Sequence, residues 1–180
     1  MRKVTDKRLR KALLQQLRTT VCLQTSLWDT CLGINYIFDD ESDALNRVVQ
    51  VTPKYAGKDL SESDLDEILA GLEKLNIAYR PGEGEKIQGI QELEKETRHT
   101  LLKAFQNAIR LQSEFWITAN SVAEMLNCDP EGVFCRLLPF SFAADTGMEF
   151  GEMELHAFLG EPEAKGYSFA GGPLNPETVN

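Results

Sequence analysis

Seven cations crowd the start of the chain: Arg2, Lys3, Lys7, Arg8, Arg10, Lys11 and Arg18, opposed there by Asp6 alone. Side chains of this type at this density bind phosphate, because guanidinium and ammonium groups neutralise backbone oxygens and release counterions. The blander reading is a solvated face that pairs with acids elsewhere in the same protein or in another subunit. The reversal is local, since the 180-residue chain carries a net charge of −9. That balance argues for solubility and against wrapping by nucleic acid.

The opposite excess lies near the other end. From Glu114 to Gly160 the charged residues are Glu114, Glu124, Asp129, Glu131, Asp145, Glu149, Glu152 and Glu154, opposed by Arg136. Glu131, Glu149, Glu152 and Glu154 are the candidates for a surface that would hold a basic protein. The run Asp39-Asp40-Glu41-Ser42-Asp43 lacks the spaced ligands and glycine of a calcium loop, and reads as a turn whose acids cap the next helix. Pro81-Gly82-Glu83-Gly84-Glu85 has glycines, but its acids would repel phosphate.

Cys22, Cys31, Cys128 and Cys135 match no C-x-x-C spacing. Nine helical residues separate the first two by about 13 Å, too far for a disulfide. Buried free thiols in a reducing cytoplasm are the expectation. With only His99 and His156 as imidazoles, neither a metal site nor a His-based triad is legible, and no cofactor is expected. His99 reads as a surface or boundary residue. The sequence therefore points away from an enzyme.

The elements that must position these groups are helices. The segment from about Thr5 to Phe38 carries Leu14, Leu17, Val21, Trp28 and Leu32 as an apolar stripe. A short helix follows from Asp43 to Val51, burying Leu45, Val48 and Val49 and ending before Pro53. Ser61 to Asp64 starts another, with Leu65, Ile68, Leu69, Leu72, Leu75 and Tyr79 on one side. Gly71 inside it marks close packing, since it costs about 1 kcal/mol against alanine. A long helix runs from about Glu85 to Trp116, striped by Ile90, Leu93, Thr97, Leu101, Ala104, Ala108, Leu111 and Phe115, and widened by Ile87, Leu102, Phe105 and Ile109. Glu94 and Arg98 stand as an i,i+4 pair.

From Thr118 to Leu137 the pattern becomes more specific. Thr118 reads as a helix cap, with Ser121 and Glu124 as a competing capping box. Val122, Met125 and Leu126 give an apolar face, and Ala123 permits close crossing. Asn127 tolerates the left-handed conformation that ends helices. Asp129-Pro130-Glu131 restarts the chain with a cap, a proline at the first helical position and an acid at the positive helix end. Val133 and Leu137 share one side of the second helix, and Pro139 ends it.

At these residues the chain resembles the helix-turn-helix family of DNA-binding modules, carried by Thr118, Ala123, Leu126, Asn127, Cys128, Asp129, Val133 and Leu137. The resemblance spans about twenty residues. It implies that the second helix lies in the major groove. The chain departs from the family there, since that helix carries Glu131 and, as its basic residue, Arg136.

Further on, Asp145-Thr146-Gly147 reads as a turn, and Met153, Leu155 and Ala157 alternate with Glu152, Glu154 and His156. A β-hairpin here would occupy the place of the wing in winged helix-turn-helix proteins. The alternative is an irregular apolar segment docked on helices. Residues 161–180 read as a flexible tail.

The expected fold is thus mainly α: a helical bundle over residues 1–116, with surplus apolar surface suited to homo-oligomerisation, then a helix-turn-helix with a candidate wing over 117–160. No apolar run is long enough to span a membrane. The functional expectation is a cytoplasmic, non-enzymatic regulator or nucleoprotein-assembly protein. It would touch double-stranded DNA through Arg2, Lys3, Lys7, Arg8, Arg10, Lys11, Arg18 and Arg136. The alternative is an acidic helical adaptor or inhibitor that holds a basic protein.

Overall fold

The computed structural model describes residues 4, 6–38, 43–73, 93–145 and 149–160. They form six helices: α1 (Lys7–Ile37), α2 (Ala44–Tyr55), α3 (Glu62–Glu73), α4 (Lys95–Leu126), α5 (Pro130–Asp145) and α6 (Glu152–Leu159). No β-strand occurs among the described residues, and no helix among them is long and apolar enough to cross a membrane. Arg2, Lys3, Asp39 to Ser42, Leu75, Tyr79, the Pro81 to Glu85 loop, Ile87, Ile90, the Thr146-Gly147 turn and the 161–180 tail lie outside the described residues.

The chain divides into two compact units, Met1–Thr25 with Phe115–Asn180, and Ser26–Glu114. The first turns of α1 therefore group with the C-terminal helices, whereas the sequence suggested one bundle over 1–116.

The buried line of α1 is Leu13, Leu17, Thr20, Gln24, Leu27, Cys31, Ile34 and Phe38, joined by Val21. Its alternating steps of four and three residues follow a helical period. The expected stripe through Trp28 and Leu32 is corrected: these are 40% and 41% exposed, and Tyr36 is 81% exposed. Polar residues in the buried line find partners for their oxygens, while the Gln24 amide nitrogen is buried without one among the described residues. Thr20 donates to the Gln16 carbonyl at 2.8 Å, and Gln24 accepts from the Ser141 hydroxyl.

In the unit of Ser26–Glu114, Leu65, Ile68, Leu69 and Leu72 of α3 are buried as expected, as are Val48 of α2 and Leu101, Phe105, Ala108 and Ile109 of α4; Val51 is buried too, and Leu45 is half-buried. Val49, expected inside, is 44% exposed. Asp43 caps α2 by accepting the Asn46 N–H at 2.9 Å. Ser61 and Asp64 cap α3 reciprocally, through Ser61 N–H to Asp64 Oδ2 at 2.8 Å and Asp64 N–H to Ser61 Oγ at 3.2 Å. Pro53 does not end α2 but lies inside it. The carbonyl deprived of a donor belongs to exposed Val49, where water can replace the lost bond.

Glu67 of α3 accepts from Lys54 Nζ at 2.5 and 2.6 Å and from Tyr55 Oη at 2.9 Å. These bonds hold its carboxyl below the usual glutamate range and push the lysine up. Arg98 donates to Glu62 at 2.9 Å and Asp66 at 2.7 Å, so it pairs with α3 rather than with Glu94.

Gly71 is a site of close approach, as its cost implied. Arg47 lies across α3 there, donating to the carbonyls of Ile68 and Glu67, both at 2.9 Å. A Cβ at position 71 would overlap its guanidinium. Gly71→Ala should gain about 1 kcal/mol of helix propensity and lose charge-assisted bonds worth about 1.5–3 kcal/mol. Net destabilisation of about 1 kcal/mol is expected in urea titrations. With Arg47→Ala already present, the same change should stabilise by about 1 kcal/mol. Destabilisation in both backgrounds would contradict this packing.

In the other unit, α4 passes the expected boundary at 116–118 unbroken. Thr118 is no cap, since its hydroxyl donates back to the Phe115 carbonyl at 2.8 Å. The helix ends where the sequence suggested. Asn127 takes φ 51°, its N–H donates to Glu124 O at 3.2 Å, and the Cys128 N–H donates to Ala123 O at 3.0 Å. This is a Schellman closure. The Asp129 carbonyl then accepts the Val133 N–H at 3.2 Å as α5 begins at Pro130. Pro139 does not end α5, which runs to Asp145. The carbonyl it leaves without a donor is that of exposed Cys135.

The expected hairpin is corrected to helix. Gly151 opens α6, and its N–H donates to Glu154 Oε2 at 2.7 Å. Left-handed Gly160, at φ 68°, closes it. Leu155 and Phe158 are buried, with Phe150 beside Phe140 at 5.0 Å between ring centroids. The apparent two-residue alternation was one helical turn with Leu155 and Phe158 three apart.

Candidate nucleic-acid interface

The residues singled out for phosphate contact separate into two groups. Lys7, Arg8 and Lys11 are exposed on the first turns of α1, and no hydrogen bond or ion pair engages their side chains among the described residues. Asp6 builds their platform: its carboxylate accepts the Leu9 N–H at 2.8 Å and its carbonyl accepts the Arg10 N–H at 2.9 Å. No acid occurs in the first turn of α1. Cations there face the positive end of the helix dipole, an arrangement that costs stability where an acid would add it.

Arg10, Arg18 and Arg136 are committed elsewhere. Arg10 Nε donates to Glu152 Oε2 at 3.0 Å, and its Nη2 lies 3.1 Å from His156 Nδ1. Arg18 Nε donates to the Phe150 carbonyl at 2.6 Å. Arg136 Nη1 donates to the Phe158 carbonyl at 3.2 Å, on the last turn of α6, where carbonyls lack helical partners. For Arg10 the blander sequence reading holds, because it pairs with an acid of its own chain.

The acids divide similarly. Glu131 and Glu149 are exposed. Glu152 is engaged by Arg10, and Glu154 is 8% exposed with its carboxylate on the Gly151 N–H. The solvent side of early α5 is Glu131 and Cys135, which supplies no cation for phosphate and no amide to read a base edge.

One feature of this unit was not legible beforehand. Trp116 and Phe134 stack at 6.2 Å and 21°, both half-buried, with Ile117 67% exposed on the next position. The residue types were visible, but their pairing depends on α4 continuing through 116–118. In the other unit, a cleft of about 290 Å³ is lined by Leu60, Leu102, Lys103, Gln106, Asn107 and Arg110. Gln106 there bridges the Leu60 N–H and Lys58 carbonyl, and Arg110 holds Glu114 and Asn107.

The thiols are corrected in part. All four are free, but Cys22 and Cys135 are exposed and Cys128 is half-buried. Burial, with Asp43 nearby, pushes the Cys31 thiol up to about 12. Since the thiolate is the nucleophile, an aromatic disulfide reagent should titrate Cys22 and Cys135 rapidly in the native protein. Cys128, raised by burial, should lag, and Cys31 should react only on unfolding. Fast reaction of Cys31 would contradict its placement. No group of three His, Cys, Asp or Glu side chains among the described residues is arranged to hold a metal ion.

Compared with protein-family models, curated proteins and solved structures, the chain matches none.

Proposed function

We propose that this chain is a non-enzymatic, nucleic-acid-associated helical protein that touches duplex DNA through Lys7, Arg8 and Lys11. The observation that carries the reading is the placement of three exposed cations at the positive end of α1. Lys7 and Arg8, in the first turn, each oppose the helix dipole by about 0.3–1 kcal/mol, and no ion pair among the described residues engages any of the three. A phosphate backbone would.

The helix-turn-helix resemblance enters as shape. The end of α4 from Phe115, the Asn127 closure and α5 follow one another in the order such modules use, in the same unit as the basic turns of α1. The side chains of early α5 argue against base reading, because Glu131 repels phosphate and Arg136 is engaged with Phe158. The contact is therefore with the backbone and independent of sequence, as in nucleoprotein assembly. The adaptor reading has less support, since Glu152 and Glu154 are occupied within the chain.

Single substitutions test it. Lys7→Gln and Lys11→Gln should each flatten the dependence of log affinity on log salt by about 0.9, equally on unrelated duplexes. Loss confined to one DNA sequence, or an unchanged slope, would overturn it.

A further inference from the structure

Resting on that reading, we infer that the acidic α6 segment is a built-in competitor that withholds Arg10 from phosphate. Three arginines from two helices converge on residues 150–158. Arg10 and Arg18 come from α1 and donate to Glu152 and the Phe150 carbonyl; Arg136 comes from α5 and donates to the Phe158 carbonyl. The two on α1 belong to the same basic run as Lys7, Arg8 and Lys11. That run thus has a phosphate-ready part and a part already bound to acceptors.

Of these contacts, the Arg10–Glu152 pair is the one an anion could displace. Glu152 is a carboxylate with the charge of a phosphate, and its side chain is 56% exposed, against 19% for Arg10. An ion pair so open to water holds weakly. The rest of α6 is anchored independently, since Leu155 and Phe158 are buried. Exchange of Arg10 between Glu152 and a phosphate therefore requires a side-chain movement and leaves the helix docked. His156, also against Arg10, stays in place to orient the guanidinium. Occupied by Glu152, the run presents three cations; released, it presents a fourth one turn along the helix from Lys7.

The test compares two neutralisations of equal charge in the full chain. Glu152→Gln should steepen the salt slope of duplex-DNA binding by about 0.9 and tighten binding at low salt about threefold to tenfold. Glu149→Gln removes the same charge from an exposed residue whose side chain holds no arginine; it should leave the slope unchanged. Adding Arg10→Gln to Glu152→Gln should erase the gain. Equal effects of the two glutamine changes would reduce the phenomenon to long-range charge and overturn the inference. So would an unaltered slope in Glu152→Gln, provided the wild type binds; the DNA reading would then survive. If neither wild type nor Glu152→Gln binds, the DNA reading itself fails, and the inference with it. Helix content by circular dichroism verifies that each variant is folded.

Discussion

Changing Lys7, Arg8 and Lys11 together to glutamate is expected to abolish duplex-DNA binding while making the folded protein more stable. Three lost phosphate contacts remove about 2.7 from the salt slope, and three added repulsions lower the remaining affinity at least about a hundredfold at low salt. The opposite effect on stability follows from the helix dipole. These side chains stand in the first turns of α1, above the Asp6 cap. Acids there interact favourably with the unpaired N–H groups that the cations oppose. A net gain of about 1 kcal/mol is expected, read as a higher urea midpoint. The pairing of lost binding with raised stability separates this account from a merely disruptive substitution. Retained binding, or loss of binding with loss of fold, would count against it.

Phe140→Ala should have the largest effect on folding. Phe140 is 2% exposed, with Phe150 at 5.0 Å and Phe158 at 6.3 Å between ring centroids. It joins α5 to the start and end of the segment that carries α6. Removing such a ring and leaving a cavity costs about 3–5 kcal/mol. That is a large share of the roughly 5–15 kcal/mol that holds a domain together. Urea titration should show the shift, and hydrogen exchange should show α6 losing protection, since the ring no longer seats Phe158. A cost below about 1 kcal/mol would mean that Phe140 is not at the centre of this core.

The helices were legible wherever apolar spacing was unbroken. Leu65, Ile68, Leu69 and Leu72 show α3 directly, and Asn127 with Asp129-Pro130 marks the α4–α5 turn to the residue. α1 was read as helix, but its buried side was misplaced. Thr20 and Gln24 occupy inward positions, and their polarity hid a line that runs from Leu13 to Phe38. A backbone carbonyl takes the Thr20 hydroxyl and Ser141 donates to the Gln24 oxygen, which no sequence pattern reveals. Pro53 and Pro139 are helix breakers by type, yet both lie inside helices. Each lies four residues beyond an exposed position whose carbonyl can turn to water.

α6 is less legible, although its signals are present. Gly151 with Glu154 three residues on, acids in the first turn, His156 in the last turn and Gly160 beyond are the marks of a short helix. Over so few residues, alternation and helical spacing overlap. The site was half legible. Its cations are plain in the sequence, but the division between engaged Arg10, Arg18 and Arg136 and uncommitted Lys7, Arg8 and Lys11 depends on where α6 docks. That docking follows from Leu155 and Phe158, three residues apart on one side of a helix.

The most direct test of the central claim is the affinity of the unaltered protein for a random-sequence duplex across a salt series from about 50 to 200 mM. Three phosphate contacts through Lys7, Arg8 and Lys11 predict a straight line of log affinity against log salt, with a slope of about −2.7 that is the same for unrelated sequences. Absence of binding at the lowest salt, or binding indifferent to salt, would contradict the account.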